Sequence, residues 1–201
     1  VVVHESVDHL RPQGVGINLQ PNAVRELFDL GLEKQLEDIG VPAQEWALVG
    51  RNGNDVWAEP RGREAGYLWP QYSIHRGHLQ MLLYQEVIKR LGSSAVTTGS
   101  RLVGYHSGNG TIQASFQNLA TDTSIVEGAV LVGADGLHSA ARKQMYPDEG
   151  PPVWGGPVMW RGTSEAVPIR TGASFVLVGK LEQRFVCYPI TRPDPTTGLA
   201  T

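Results

Sequence analysis

Apolar residues at 79, 82, 83, 87 and 91 fall on one face of the segment 77–91 and predict an amphipathic helix. Two shorter helices are predicted over 21–30, closed by Gly31, and over 32–39, closed by Gly40, with glycine as the C-terminal cap in both. The pattern then shortens to strand-like runs over 45–49 and 55–58 around Arg51-Asn52-Gly53-Asn54, and an Asn-Gly pair between such runs predicts a hairpin. Runs over 95–105, 111–116 and 124–132 predict a meander. Its last strand, Gly128-Ala129-Val130-Leu131-Val132, reads as buried and leads through Gly133-Ala134-Asp135-Gly136 into a short basic helix over 139–145. The opening Val1-Val2-Val3-His4-Glu5 reads as a buried parallel strand that stops at an acid. Pro151, Pro152, Gly155, Gly156 and Pro157 form a linker-like stretch, after which strands are expected over 158–163, 174–178 and 184–190. There is no internal repeat and no low-complexity tract.

The 201 residues, at 21.8 kDa, correspond to about one and a half average domains. No apolar run approaches the roughly 20 residues that a membrane span requires. With 17 basic and 20 acidic residues the net charge is −3, which gives no electrostatic basis for a nucleic-acid or anionic-membrane surface and favours a small-molecule partner. Cys187 is the single cysteine, so neither an internal disulfide nor a CxxC metal site can form, and a reducing, cytoplasmic setting is expected. Both ends are abrupt, with no initiator Met and no signal-peptide pattern, and the chain is expected to be a piece of a longer protein.

Glu5, at the carboxyl end of an apolar strand, occupies the place where a dinucleotide-binding fold holds the adenosine ribose, or is a solvated strand end. Arg76, just before the 77–91 helix, is positioned to meet a phosphate or a flavin edge, or is a surface arginine. In Gly133-Ala134-Asp135-Gly136, two glycines bracket an aspartate where a backbone can approach a ligand closely, with an ordinary turn as the alternative. The six histidines lack HExxH or HxH spacing, so no metal site is assigned. There is no G-x-S-x-G elbow, and Cys187 lies in a strand pattern as a small buried residue, so the chain itself offers no catalytic nucleophile.

Taken together, Glu5, Arg11-Pro12-Gln13-Gly14-Val15-Gly16-Ile17 leading to Pro21-Asn22-Ala23, Ile74-His75-Arg76 with Leu79 and Leu82, and Gly133-Ala134-Asp135-Gly136 with Ser139 and Arg142 resemble the single-component flavin-dependent aromatic hydroxylases of the para-hydroxybenzoate hydroxylase fold. Trp57-Ala58-Glu59-Pro60-Arg61-Gly62, Pro70-Gln71-Tyr72-Ser73-Ile74-His75-Arg76-Gly77 and Met159-Trp160-Arg161-Gly162 resemble the branch acting on phenazine-1-carboxylate, salicylate and 3-hydroxybenzoate. The resemblance implies a mixed α/β fold: a Rossmann-like FAD/NAD(P)-binding domain with an inserted β-meander and part of a β-sheet substrate domain, incomplete at both ends. The cofactor-binding part is expected over 1–43 and 73–150. The substrate part is expected as a hairpin and loop over 44–72 and a sheet over 151–201.

The resemblance also implies the chemistry. FAD, reduced by NAD(P)H, would activate dioxygen as a C4a-hydroperoxide and hydroxylate an electron-rich aromatic ring, with no catalytic residue beyond the flavin. By the same resemblance Glu5 holds the adenosine ribose, Arg11 lies near the pyrophosphate, Arg76 meets the flavin, the Leu102 backbone touches the adenine and Asp135 belongs to the shared FAD and NAD(P)H motif. Trp160 and Arg161 face the aromatic substrate, or are strand residues packed on a neighbouring sheet. A glycine-rich turn before Val1 and a Gly-Asp segment after Thr201 complete the expected cofactor site, so weak FAD binding and no turnover are expected of these residues alone. The competing readings are another FAD-dependent oxidoreductase of this fold and a non-catalytic remnant. A halogenase would need a W-x-W-x-I-P segment, which is absent.

Overall fold

The computed structural model describes residues 1–118, 122–180 and 182–201. In chain order these residues form β1 (Val3–His4), β2 (Gly16–Leu19), α1 (Pro21–Asp29), α2 (Glu33–Ile39), β3 (Gly40–Pro42), β4 (Glu45–Val49), β5 (Asp55–Pro60), β6 (Tyr72–His75) and α3 (Arg76–Leu91). They continue through β7 (Val96–Thr97), β8 (Ser100–Gly108), β9 (Thr111–Asn118), β10 (Thr123–Gly128), α4 (Ala140–Met145), β11 (Ser174–Gly179) and β12 (Arg184–Cys187). The chain divides into two compact units, residues 1–11 with 84–159 and residues 12–83 with 160–201.

In the second unit, β2, β6 and β3 form an antiparallel sheet with β6 in the centre. Helices α1 and α2 and the start of α3 close over it, burying Val24, Leu36, Tyr72, Ile74 and Leu79 in one cluster. Gly31 ends α1 as predicted. At φ +75° it donates to the Phe28 carbonyl at 2.7 Å, and Leu32 donates to Leu27 at 3.0 Å, a Schellman closure. Gly40 works differently, because its backbone is extended and opens β3. A β-carbon there would come within 2.9 Å of the Tyr72 ring, so close approach rather than a left-handed turn demands glycine.

The same unit holds a four-stranded sheet in the order β12-β11-β4-β5, in which β4 and β11 run parallel. The predicted hairpin forms, but its loop spans 50–54, closed by Gly50 donating to Asn54 at 2.8 Å, after a register shift between Leu48 and Val49. Arg170 fastens this sheet. Its Nε and Nη2 donate to the two Glu45 oxygens at 2.6 and 3.1 Å, and Nη1 donates to Asp55 Oδ1 at 2.5 Å.

In the first unit, β1 pairs in parallel with β7, while β8, β9 and β10 form the expected meander. Gln144 of α4 brackets Tyr105 of β8, accepting from its N–H at 2.9 Å and donating to its carbonyl at 2.5 Å. Three expectations are corrected in the chain as a whole. The opening valines are exposed rather than buried, because β1 is two residues long and, among the described residues, has a strand on one side only. Strand β10 stops at Gly128, and Val130 and Val132 stand 78% and 79% exposed, with no neighbouring strand among the described residues to continue the ladder. No strand forms over 158–163, where the backbone is irregular and the side chains face solvent.

Candidate functional site

The Pro12–Gly16 segment lies against the N-terminus of α3, and two glycines make that contact possible. Gly77 is buried in the first turn of α3, where a β-carbon would fall 2.4 Å from the Gln13 nitrogen and 2.5 Å from the Pro12 carbonyl carbon. Gly14, at φ +107°, carries the Arg76 guanidinium across its face, 2.8 Å from where a β-carbon would stand. Arg76 donates its own N–H to Val15 at 3.0 Å and presents an exposed cationic side chain that makes no ion pair among the described residues. His75 Nδ1 accepts from the His78 N–H at 3.4 Å, serving as the cap of α3. Burial, with His75 beside it, holds the His78 imidazole below its usual range.

Gly16, two residues beyond Gly14, seats a different side chain. The Tyr188 ring edge and Ile190 lie where its β-carbon would be, at 2.6 and 2.7 Å. Tyr188 stacks on Phe175 with ring centroids 5.1 Å apart, and Phe175 is the register partner of Trp46 across β11 and β4. The three rings thus share one face of the four-stranded sheet, with the Arg61 guanidinium 5.8 Å from the Trp46 ring centre. Burial pushes the Tyr188 phenol up, while Arg161 and the Asn18 side chain act in the opposite direction. Arg161 is therefore near Tyr188, and its neighbour Trp160 is 89% exposed on irregular backbone.

In the first unit, Glu5 extends the β1 pairing. Its N–H donates to Thr97 at 2.9 Å, and its carbonyl accepts from Ser100 at 2.8 Å. The Glu5 carboxylate accepts from the Val7 N–H through Oε1 at 2.8 Å. His4 stacks on Phe116 at 3.8 Å and meets Ser100 Oγ at 2.9 Å. Phe116 is the register partner of Leu102, so Glu5 and Leu102 are brought to one end of the meander, where a bulge at Val103 interrupts the ladder. Arg11 lies exposed in the following loop.

Asp135 is placed at the N-terminus of α4. Its Oδ1 accepts from the Ser139 hydroxyl at 2.5 Å, and Oδ2 accepts from the Ala140 and Ala141 N–H groups at 2.6 and 3.3 Å. Burial opposes ionisation, but the bonds from Ser139, Ala141 and Ala140 outweigh it and hold the carboxyl below its usual range. Gly133 allows this turn to press on the helix, since a β-carbon would meet that of Ala141 at 2.9 Å. An Asp135→Asn protein is expected to lose about 1 kcal/mol of stability at neutral pH, because the amide has one acceptor oxygen and no charge where the carboxylate takes three bonds. The depressed carboxyl contributes above its usual range, so the difference from wild type should disappear as the pH falls through the folded-state value. Urea titrations at two pH values would check this, and equal stability at neutral pH would refute it.

Arg76, Arg161 and Asp135 are among the candidates legible in the sequence, whereas Asn18, Tyr188 and Gly77 take their places only in the fold. The available signals were the glycine spacing in Gly14-Val15-Gly16 and the polar residues Gln71 and Ser73 flanking Tyr72. No helix among the described residues is long and apolar enough to cross a membrane.

No family model matches the chain. The fold, however, superimposes on that of Klebsiella pneumoniae HpxO solved with FAD and uric acid, with a TM-score of 0.67 and 21% identity over 98% of this chain and 48% of that one. In sequence, the chain is 41% identical over 203 residues to the phenazine 1,6-dicarboxylic acid hydroxylase PhzS of Lysobacter antibioticus, covering 100% of this chain and 50% of that protein. The chain is homologous to the FAD-dependent aromatic hydroxylases. A second such hydroxylase, 3-hydroxybenzoate 6-hydroxylase 1 of Aquipseudomonas alcaligenes, is 31% identical over 158 residues, covering 77% of this chain and 39% of that protein. The chain thus spans about half the length, or less, of the curated hydroxylases it matches.

Proposed function

We propose that the protein to which these residues belong is an FAD-dependent monooxygenase that uses NAD(P)H and dioxygen to hydroxylate an electron-rich aromatic acid of the phenazine carboxylate, salicylate or hydroxybenzoate kind. The observation that carries this reading is the 41% identity to a phenazine dicarboxylate hydroxylase, which extends over the whole chain. Bound FAD supplies the redox and oxygen-transfer chemistry, and the protein binds, orients and excludes water.

The residues present fit such a cofactor. Arg76 is a cation without an acidic partner among the described residues, laid over a glycine that leaves room for close approach, at the start of a 16-residue helix. We assign Arg76 to the flavin, Arg11 to the pyrophosphate, Glu5 to the adenosine ribose and the Leu102 backbone to the adenine. Asp135 serves the cofactor by holding the turn before α4 in shape. Trp160 and Arg161 are assigned to the aromatic substrate. The substrate part comprises 44–72 with 151–201, a grouping that the sharing of one sheet by β4, β5, β11 and β12 supports, and 1–43 with 73–150 form the cofactor part, which draws on both compact units. That the sequence has a single cysteine supports a reducing cytoplasmic setting.

Substrate-stimulated NAD(P)H oxidation by the full-length flavoprotein, across salicylate, hydroxybenzoates and phenazine carboxylates, tests the activity. No stimulation by any aromatic acid would overturn it. Arg76→Ala is expected to weaken FAD binding by about tenfold to a hundredfold, the scale of one charge-assisted hydrogen bond. Flavin fluorescence on release would report it, and unchanged retention would remove Arg76 from the cofactor site.

A further inference from the structure

Two deeply buried polar side chains in the second unit are committed to a single carboxamide. Ser73 is 2% exposed and Gln71 is 4% exposed. Ser73 Oγ donates to Asn18 Oδ1 at 2.9 Å, and Gln71 Nε2 donates to the same oxygen at 3.4 Å. Asn18 and Ser73 are register partners in the β2–β6 pair, so the side-chain bonds add to a ladder that is already made. Burying hydroxyl and amide groups costs free energy that apolar residues at these positions would avoid, and the sheet does not need them in order to pair.

What the arrangement does achieve is direction. Two donors on one oxygen fix which end of the Asn18 carboxamide is which, so its NH2 group is the end left to point away from Ser73 and Gln71. Residues two apart on a strand share a face. Gly16, two before Asn18, is the residue on which the Tyr188 edge and hydroxyl rest, at 2.6 and 2.9 Å from its virtual β-carbon. Asn18 therefore faces the side of β2 on which Tyr188 lies. Phe175 holds the Tyr188 ring from the other sheet.

We infer that Asn18 is a positioning residue: anchored by Ser73 and Gln71, it offers its NH2 to the Tyr188 oxygen and so turns the Tyr188 O–H outward as a donor to an anionic oxygen of the aromatic acid. This rests on the aromatic-hydroxylase reading. Arg161 supplies positive charge near the same phenol, which suits a carboxylate or phenolate oxygen there. No covalent step is involved; the residues orient one donor and favour one charge.

The test uses the full-length FAD-loaded protein as wild type, Asn18→Ala, Ser73→Ala and Tyr188→Phe. The tyrosinate absorbance of wild type minus that of Tyr188→Phe isolates the Tyr188 titration. It is expected to move upward in Asn18→Ala, and by less in Ser73→Ala, because a donor that favours the ionised oxygen is lost or loosened. In steady-state assays KM for the aromatic acid should rise about tenfold in Asn18→Ala, the scale of one hydrogen bond, while kcat changes less. Benzoate and phenol as binding probes separate a carboxylate from a phenolate as the oxygen recognised. A Tyr188 titration unmoved in both variants overturns the inference, as does a moved titration with unchanged affinity for both probes. The titration and the probe binding need no turnover. A wild type that oxidises no NAD(P)H in response to aromatic acids therefore defeats the hydroxylase reading separately.

Discussion

Gly77→Ala is expected to destabilise the protein by about 3 kcal/mol, or roughly 6–12 °C in Tm. Helix propensity alone predicts the opposite sign, since alanine in a helix is better than glycine by about 1 kcal/mol. The added methyl would stand 2.4 Å from the Gln13 nitrogen and 2.5 Å from the Pro12 carbonyl carbon. Both are backbone atoms that cannot swing aside as a side-chain tip would, so the Pro12–Gly16 segment must move off α3. Because Gly14 carries Arg76 across its face in that segment, FAD retention should fall together with stability. Thermal melts followed by circular dichroism decide between the two signs; a melting temperature at or above wild type would refute the steric account.

Glu45→Gln is expected to cost about 2–3 kcal/mol at neutral pH, through loss of charge-assisted bonds in a largely covered site. Bonds from Arg170 hold the Glu45 carboxyl below its usual range, burial opposes them, and the Ser174 hydroxyl, at 2.6 Å, adds to them. Arg170 is in turn held above its ordinary range, first by Glu45 and then by Asp55. A carboxyl whose folded-state pKa is depressed stabilises fully above its unfolded value, near 4.3 for glutamate, and that contribution fades as the pH falls through the folded value. The gap between Glu45→Gln and wild type should therefore be widest near neutrality and close in acid. Guanidinium titrations across this range would measure it, and a pH-independent gap would assign the effect to packing instead. Arg170 also sits at φ +55°, a backbone cost for a residue other than glycine that the network must offset.

The long apolar stripe of α3, the closure of α1 at Gly31 and the 45–60 hairpin were all legible because each depends on neighbours a few residues apart. The meander was legible up to Gly128. Beyond it, Val130 and Val132 carry the alternation of a buried strand, but alternation states only which side chains need cover, and the described residues place no strand beside them. The run over 158–163 fails for the same reason. Strands β2, β3 and β6, at three or four residues each, are too short for a periodic signal. Of the candidate site, the place of Arg76 at the start of α3 was readable from the strong helical pattern that follows it. The roles of Gly14, Gly16 and Gly77 were not, since what a glycine accommodates is a residue distant in sequence, here Arg76, Tyr188 and the Pro12–Gln13 backbone. Asn18 is less legible because it lies in a four-residue strand and its two donors, Gln71 and Ser73, are 53 and 55 residues away in sequence.

The parallel pairing of β4 with β11 has a temporal consequence. Glu45 and its bonded partner Ser174 are 129 residues apart, so a ribosome adding about 5–20 residues per second delivers the second roughly 6–26 s after the first. For most of that interval, once β5 has followed β4, the hairpin stands without β11 beside it, and a lone two-stranded ribbon is at best marginally stable in water. Leu48, paired with Trp57 across the hairpin, then lacks Leu177, its register partner on β11, and the sheet is completed only when that long loop closes.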